Sequence, residues 1–429
     1  GWAAINSSFN LSQSKYDTAS WLQSLAVTNE SYRTTLNPTF AIEETDRLVS
    51  EHIACQVRHF RYTFAQLLSF LFLYAAASAI LLGVGGWLVI AGELTLGQLV
   101  AAELIMLAIL AGLPQSVPGY ALDRMCAGAM TAVTTIGSAI GIGAYDIGIA
   151  GGVEHMGRHP LGADVDPNPR FLSEKLVSPD ALNMGITAER LHDRFPHLTK
   201  ERADAFGLAS QLKVEAAYQA GHIQQDLIPV ALRSDEGYGL ATEDEGRRPS
   251  TTMAGLAELR TPFRPHGKVT AGNASPLTDG ATVAALASQT TAQKLGLGAK
   301  MTMVSFGFAG VEPEVMGLGP IPSTQKALDK AGLSIEEVGL FELNEAFAVQ
   351  VLSFLDHYGI ADDDPRVNPW GGAIALGHPL AASGVRLMIQ LARQFETRPD
   401  VQYGLTAMCV GLGQGGSVLW ENPHFQGGK

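Results

Sequence analysis

The sequence predicts an α/β protein in two halves with a loop-rich lobe, preceded by a helical, membrane-like segment. Three observations carry that reading. Residues 64–92, FAQLLSFLFLYAAASAILLGVGGWLVIAG, contain no charged side chain. From Ser116 onward, short apolar runs alternate with stretches of helical period, which is how a layered α/β fold reads. After a polar, proline-broken stretch at 155–265, the alternation resumes near Gly280 and continues to the end.

At the front, residues 1–60 are polar and mixed, with helical spacing from about Phe40 to Phe60. The charge-free run that follows exceeds the ~20 apolar residues that cross a bilayer. A second apolar stretch runs from Leu96 to Leu113, broken only by Glu103. Arg58 and Arg61 stand before the first run, and the turn between the runs has no Lys or Arg. The positive-inside rule then predicts a hairpin with both ends cytoplasmic, and membrane association through residues 64–113. The competing reading is a buried helix of a large α/β domain, although such helices usually stop short of this length. The segment RHFRYTFAQLLSF…GGWLVIAGELTLGQLVAAELI resembles the fifth and sixth transmembrane helices of ABC exporters. No G-x-x-x-x-G-K-[ST] phosphate loop occurs, so transport by this chain alone is not expected.

Composition narrows the remaining classes. The 429 residues are enough for two or three domains of about 150 residues and a large core. Hydrophobic residues at 46% and charged ones at 17% exclude a disordered chain. A net charge of -13 leaves no basic excess to neutralise phosphates, so nucleic acid is not the expected partner. Three cysteines, Cys55, Cys126 and Cys409, are too few for a disulfide framework and fit a reducing compartment. A start at Gly1 is what a fragment or processed product would show, and no signal-peptide layout follows it.

Taken in order, VPGYAL at 117–122 reads as a strand, CAGAMTAVTTIGSAIGIG as a small-residue helix, and DIGIAGGVE as a buried strand. The stretch 155–265 carries the turns DPNPR, RFPH and RTPFRPH around a few helices, and reads as a lobe over a site. FELNEAFA puts Asn344 and Glu345 at a strand-to-helix corner, where capping of the helix is the simpler role for Asn344. TAMCVGLGQGG ends one strand at Cys409, and SVLW reads as the last.

Cys126 opens the small-residue helix, where unpaired N–H groups and the dipole favour thiolate; Arg124 adds positive charge. The plainer reading is a small buried core residue. His378 lies in GGAIALGHPLAASG between glycine-rich turns whose entropic cost suggests a function. Gly411, Gly413 and Gly416 fit G-x-G-x-x-G, but no helix and further strand follow, so a dinucleotide site is excluded. His155 and His159 are four apart in a Gly/Pro loop without the carboxylate of H-E-x-x-H, so no metal site is expected. Two thiols and an imidazole at turns of one α/β framework suggest covalent acyl transfer.

The blocks AGLPQSVPGYALDRMCAGAM, GGVEHMG, GKVTAGNASPLTDGA, NEAFA, GGAIALGHPLAASG and CVGLGQGG together resemble the thiolases, specifically acetyl-CoA acyltransferases of fatty-acid oxidation. The resemblance runs from about residue 111 to 429. It implies a thiolase fold of two mixed-sheet βαβαβαββ-type halves. By position it makes Cys126 the acyl-accepting nucleophile and His378 its activator. Cys409 becomes the acid and base at the acetyl-CoA carbon and the CoA thiol. Asn344 would hold a water that forms one oxyanion site with His378, while the N–H groups of Cys126 and Gly411 would form the other. Phe263, Ala271 and Ser275 match positions that line the pantetheine and adenine end of CoA. Pro276 and Ala381 stand where the family usually has glycine and would stiffen two loops.

Exporter-like sequence stands where thiolases carry their first two strands, so the resemblance implies a hybrid chain with an incomplete N-terminal half. The expected division is 1–113 for the hairpin region, 114–279 for the rest of the N-terminal domain with its lobe at 155–265, and 280–429 for the C-terminal domain. The expected reaction is CoA-dependent thiolysis of a 3-ketoacyl-CoA, or the reverse condensation, through an acyl-cysteine. A decarboxylating or hydroxymethylglutaryl-type condensing enzyme is the nearest competitor, and the second cysteine speaks against it. The other alternative is a catalytically dead hybrid with a membrane-embedded front. No metal or bound cofactor is expected, coenzyme A being a substrate. The resemblance implies a homodimer or homotetramer; a place in the cytoplasm, with membrane contact through the hairpin, is expected.

Overall fold

The computed structural model describes residues 2–27, 38–90, 113–114, 116–158, 169–234 and 237–427. They fall into two units, Gly1–Ala121 and Leu122–Lys429.

In the first unit, helix α1 (Trp2–Val27) runs antiparallel to helix α2 (Pro38–Ile90). Polar pairs spaced by seven residues join them: Ser7 to His59 at 3.0 Å, Ser14 to His52 at 3.0 Å, and Trp21 to Thr45 at 2.9 Å. Seven residues is two helical turns, so each rung returns to the same seam. The helix expected from Phe40 to Phe60 is therefore present. Among the described residues no helix is long and apolar enough to cross a membrane. The side chains of 66–90 and all of 91–112 lie outside the described residues, and with them the hairpin read over 64–113.

The second unit is built on a helix–strand–strand pattern that occurs twice. In the first copy, helix α3 (Gly128–Gly141) leads into β1 (Ile147–His155). The lobe follows, with helices α4 (Met184–Arg194) and α5 (Lys200–Gln219) and the hairpin β2 (Val230–Ser234) and β3 (Gly237–Ala241). Strand β4 (Asp279–Ala287) then pairs antiparallel with β1. The second half opens with β5 (Thr302–Gly310) and helix α6 (Pro320–Ala331). Next come β6 (Val338–Leu343) and helix α7 (Ala348–Tyr358). It closes with helix α8 (Ser383–Thr397), β7 (Tyr403–Val410) and β8 (Gln414–Glu421). Its sheet order is β5-β8-β7-β6, with β6 and β7 parallel and the other pairs antiparallel.

The parallel pair accounts for the apolar run in YGLTAMCV. A strand covered on both faces needs no polar alternation, and every residue of β7 after Tyr403 is buried. Helix α8 presents Leu387, Met388, Leu391 and Phe395 to that sheet. Each such side chain contributes about 1.5–3 kcal/mol when fully buried. The same cluster takes in Met130 and Val133 of α3 and Ala150 of β1, so one core joins the two patterns.

The two halves differ where the resemblance implied an incomplete front. Among the described residues the first half has the pair β1–β4, against four strands in the second half. The outward face of that pair leaves Ile149 56% and Val283 58% exposed, an unusual amount of apolar side chain for an α/β sheet. VPGYAL is not a strand: residues 117–124 pair with no other segment among the described residues. An apolar hexapeptide becomes a strand only when a neighbour takes its backbone hydrogen bonds.

Candidate active site

The N-termini of α3 and α8 meet, and that meeting assembles the site. Ala129 N donates to Ala381 O at 2.8 Å, which ties the start of α3 to the loop after His378. The same loop is pinned from the β1–β4 pair: Ala381 N donates to Glu154 at 3.1 Å, and Thr282 Oγ1 donates to Ala382 O at 2.7 Å. Gly152 packs so closely that a Cβ there would lie 1.9 Å from Ala381 O. The methyl group of Ala381 lies against Gly128, so this departure from glycine is accommodated by the glycine facing it.

Cys126 sits in a 3-10 turn, Met125–Ala127, that leads directly into α3. Met125 before it has φ 44, a left-handed conformation that costs a side-chain-bearing residue about 1–3 kcal/mol and recurs at functional sites. Its N–H is held by Asp123 Oδ1 at 2.7 Å. Burial pushes the Cys126 thiol up to about 11, against backbone N–H groups of Gly411 and of Cys126 itself that stabilise the thiolate; Glu154 and Asp123 add to the rise. The lowering expected from the helix terminus is therefore reversed, because desolvation outweighs the local dipole. Arg124 does not add to it. Its guanidinium stacks over the Phe308 ring at 4.1 Å.

Cys409, near the end of β7, is fully buried. Burial and the neighbouring Cys126 raise its thiol well above the ordinary range. Beyond it, Gly411 opens the turn to β8, in which Leu412 and Gly413 take φ 61 and φ 79.

His378 is buried. Gly377 before it has φ 95 and ψ 164, a region closed to side chains, and a Cβ there would strike Thr278. Burial, with the Arg386 guanidinium adding, lowers the imidazole to about 3, so it is neutral at physiological pH. Its Nδ1 lies 2.6 Å from Ser383 Oγ, and Ser383 donates to Pro379 O at 2.8 Å.

Asn344 follows β6, its N–H bonded to Ala407 O at 2.9 Å. It does not cap α7, whose N-cap position is Phe347. Its Nδ2 lies 3.3 Å from Nδ1 and 3.2 Å from Nε2 of His378. An atom equidistant from both ring nitrogens cannot lie in the ring plane without striking Cε1, so the amide sits over the face of the imidazole. Glu345 is turned away, accepting from Ser210, Asn368 and Ile374 N, and serves the frame.

The three residues matched to a CoA site lie in the chain between β3 and β4. Phe263 packs its ring over Gly185 at the start of α4, and Ala271 is exposed. Ser275 is bonded to Ala346 O through its N–H, at 3.0 Å. His155 pairs with Asp279 at 2.7 Å, and His159 lies outside the described residues.

Sequence reasoning missed Ser383 and Arg386. Ser383 lies within the histidine block and Arg386 stands just after it, and the signal available was a lone cation in the otherwise uncharged helical run SGVRLMIQLA.

Comparison with known proteins follows the same map. Residues 89–290 match the family model described as "Thiolase, N-terminal domain", and residues 297–422 match "Thiolase, C-terminal domain". The first match begins at 89, inside the stretch read as exporter-like, rather than near 111. The chain is 38% identical over 342 residues to "3-ketoacyl-CoA thiolase B, peroxisomal" of Rattus norvegicus, covering 77% of this chain and 80% of that protein. It is 42% identical over 319 residues to "3-ketoacyl-CoA thiolase" of Aliivibrio fischeri, covering 74% and 81%. The crystal structure of human mitochondrial 3-ketoacyl-CoA thiolase superposes with a TM-score of 0.67 at 31% identity, over 74% of this chain and 82% of that one. With both domain models matched in order across the halves that meet at Cys126 and His378, the chain belongs to the thiolase family.

Proposed function

We propose that this chain catalyses CoA-dependent thiolysis of a 3-ketoacyl-CoA, and the reverse Claisen condensation, through an acyl-Cys126 intermediate. The observation that carries the assignment of roles is that the backbone N–H groups of Cys126 and Gly411 favour a thiolate at Cys126. Donors placed there also reach the carbonyl oxygen of a thioester formed on that sulfur.

All three reacting groups rest neutral: a thiol at Cys126, an imidazole at His378 and a thiol at Cys409. Proton transfer therefore accompanies attack instead of preceding it. Cys126 Sγ bonds to C3 of the substrate as its proton passes to His378 Nε2. The C2–C3 bond breaks, its electron pair goes to C2, and Cys409 protonates C2 to release acetyl-CoA. The second CoA gives its thiol proton to the Cys409 thiolate and attacks the thioester. Cys126 leaves and recovers its proton from His378. A thiol raised by burial suits Cys409, because its basicity lies nearer to that of a carbon acid. Asn344 and His378 supply the donors for the oxygen of the enolate formed on the acetyl-CoA side.

Coenzyme A is a substrate here, and the steps above call for no metal and no bound cofactor. Phe263, Ala271 and Ser275 are proposed to line its pantetheine and adenine end. We assign the chain a homodimer or homotetramer on the family resemblance, and membrane contact through residues 64–113 on the sequence pattern alone. An inactive hybrid is the weaker reading, since the family resemblance extends through both halves. The test is direct: acetoacetyl-CoA and CoA supplied to the purified chain should give two acetyl-CoA per turnover. Disappearance of substrate without acetyl-CoA would refute thiolysis.

A further inference from the structure

The amide of Asn344 has two ends of nearly equal size, an acceptor oxygen and a donor NH2 group, and only its partners decide which end faces which way. At one end the partner is Arg386 on α8, whose NH2 group donates to Asn344 Oδ1 at 3.1 Å. A guanidinium has donors and no acceptor, so only the oxygen end can face it. The NH2 end is thereby left over the His378 ring.

Arg386 is itself placed at a cost. Its side chain is desolvated, and burial weakens its hold on its proton. The carboxylates that favour its charge, Glu342, Glu345 and Asp244, act on it through space and not through hydrogen bonds. Its other bond goes to the side-chain oxygen of Gln390, and its Nε is buried with no partner among the described residues. A guanidinium serving stability alone would be matched to a carboxylate fork. This one is matched to the amide beside the reacting imidazole.

We propose that Arg386 is a positioning residue for the reaction, whose guanidinium fixes the Asn344 amide with its NH2 group toward His378 and toward the substrate oxygen. This deepens the thiolase reading and rests on it. The charge has a second, separate effect, since it is the charged group that disfavours protonation of the His378 ring.

The test uses two substitutions in the full chain. Arg386→Met removes both donor and charge while keeping a long side chain. Arg386→Lys keeps the charge but loses the fork. In thiolysis of acetoacetyl-CoA, Arg386→Met should lose at least tenfold in kcat with KM within twofold of the parent. The acid limb of its pH–rate profile should move to higher pH. Arg386→Lys should keep the acid limb in place and still lose kcat. A crystal structure of Arg386→Met should show the Asn344 side chain displaced from His378. An active parent with both variants unchanged in kcat and pH profile overturns the proposal and leaves the thiolase reading standing. An inactive parent overturns that reading instead. The structure of Arg386→Met then decides the positioning role: a displaced Asn344 upholds it, and an unmoved one overturns it.

Discussion

Ser383 Oγ lies 2.6 Å from Nδ1 of His378 and donates its one proton to the carbonyl of Pro379 at 2.8 Å. Toward the imidazole the hydroxyl can therefore only accept. Nδ1 carries the ring proton, and Nε2 keeps the lone pair that a general base needs. A hydroxyl five residues further along a tight turn thus sets the tautomer of His378.

Removing that acceptor should release the tautomer. Ser383→Ala is expected to lower kcat for thiolysis by about ten- to a hundredfold with little change in KM, because the ring stays in place but spends time with Nε2 protonated. Steady-state kinetics against acetoacetyl-CoA measure it, and a variant as fast as the parent would remove the tautomer argument.

Cys409 is expected to matter for carbon chemistry more than for folding. Cys409→Ala should reduce overall thiolysis by about a thousandfold, while the protein stays folded and Cys126 still reacts with iodoacetamide. Alkylation mapped by peptide mass, alongside turnover, separates the two effects. Undiminished turnover would transfer the acid–base role elsewhere.

The close approach at Gly152 gives a stability prediction. A methyl group there would lie 1.9 Å from the backbone oxygen of Ala381, which cannot rotate away. Gly152→Ala should destabilise the chain by about 1–3 kcal/mol and also reduce activity, since the displaced loop carries His378. Thermal unfolding and kinetics on the same sample check both, and an unshifted midpoint would contradict the packing.

Glu342 supplies the pH dependence. Burial raises its carboxyl from 4.5 to about 8, with one oxygen accepting from Gln394 at 2.7 Å and the other without a partner among the described residues. Between those two values the folded chain holds a proton that the unfolded chain has released. Stability from this group is thus complete below about 4.5 and declines as pH rises to about 8. Glu342→Gln removes the decline. Its advantage over the parent should be absent near pH 4, and it should grow to the order of a few kcal/mol by pH 8. Denaturant unfolding at several pH values reads this directly, and parallel curves for the two proteins would rule it out.

What the sequence made legible was what depends on neighbours along the chain. DIGIAGGVE forms a strand where the pattern places it, but only Ala150 of it is buried, against the buried strand the sequence predicts; the strand ending at Cys409 and the glycine-framed His378 also follow from local pattern. VPGYAL was misread because a strand needs a partner from elsewhere in the chain. The direction of the Cys126 shift was misread for a related reason. The helix terminus is local and visible in the sequence, whereas the burial that outweighs it is tertiary. Arg386 and Ser383 were visible as letters but not as partners, because the way α8 packs decides which side chain meets Asn344 and which meets His378.

The central claim is that Cys126 carries the acyl group in a site completed by His378, Cys409 and Asn344. Mass spectrometry of the purified chain after incubation with acetyl-CoA, with the adduct mapped to its peptide, tests it most directly. One acetyl thioester is expected on Cys126, absent from Cys126→Ala. An unmodified Cys126 in a folded sample, or an acetyl group on another residue, would contradict it.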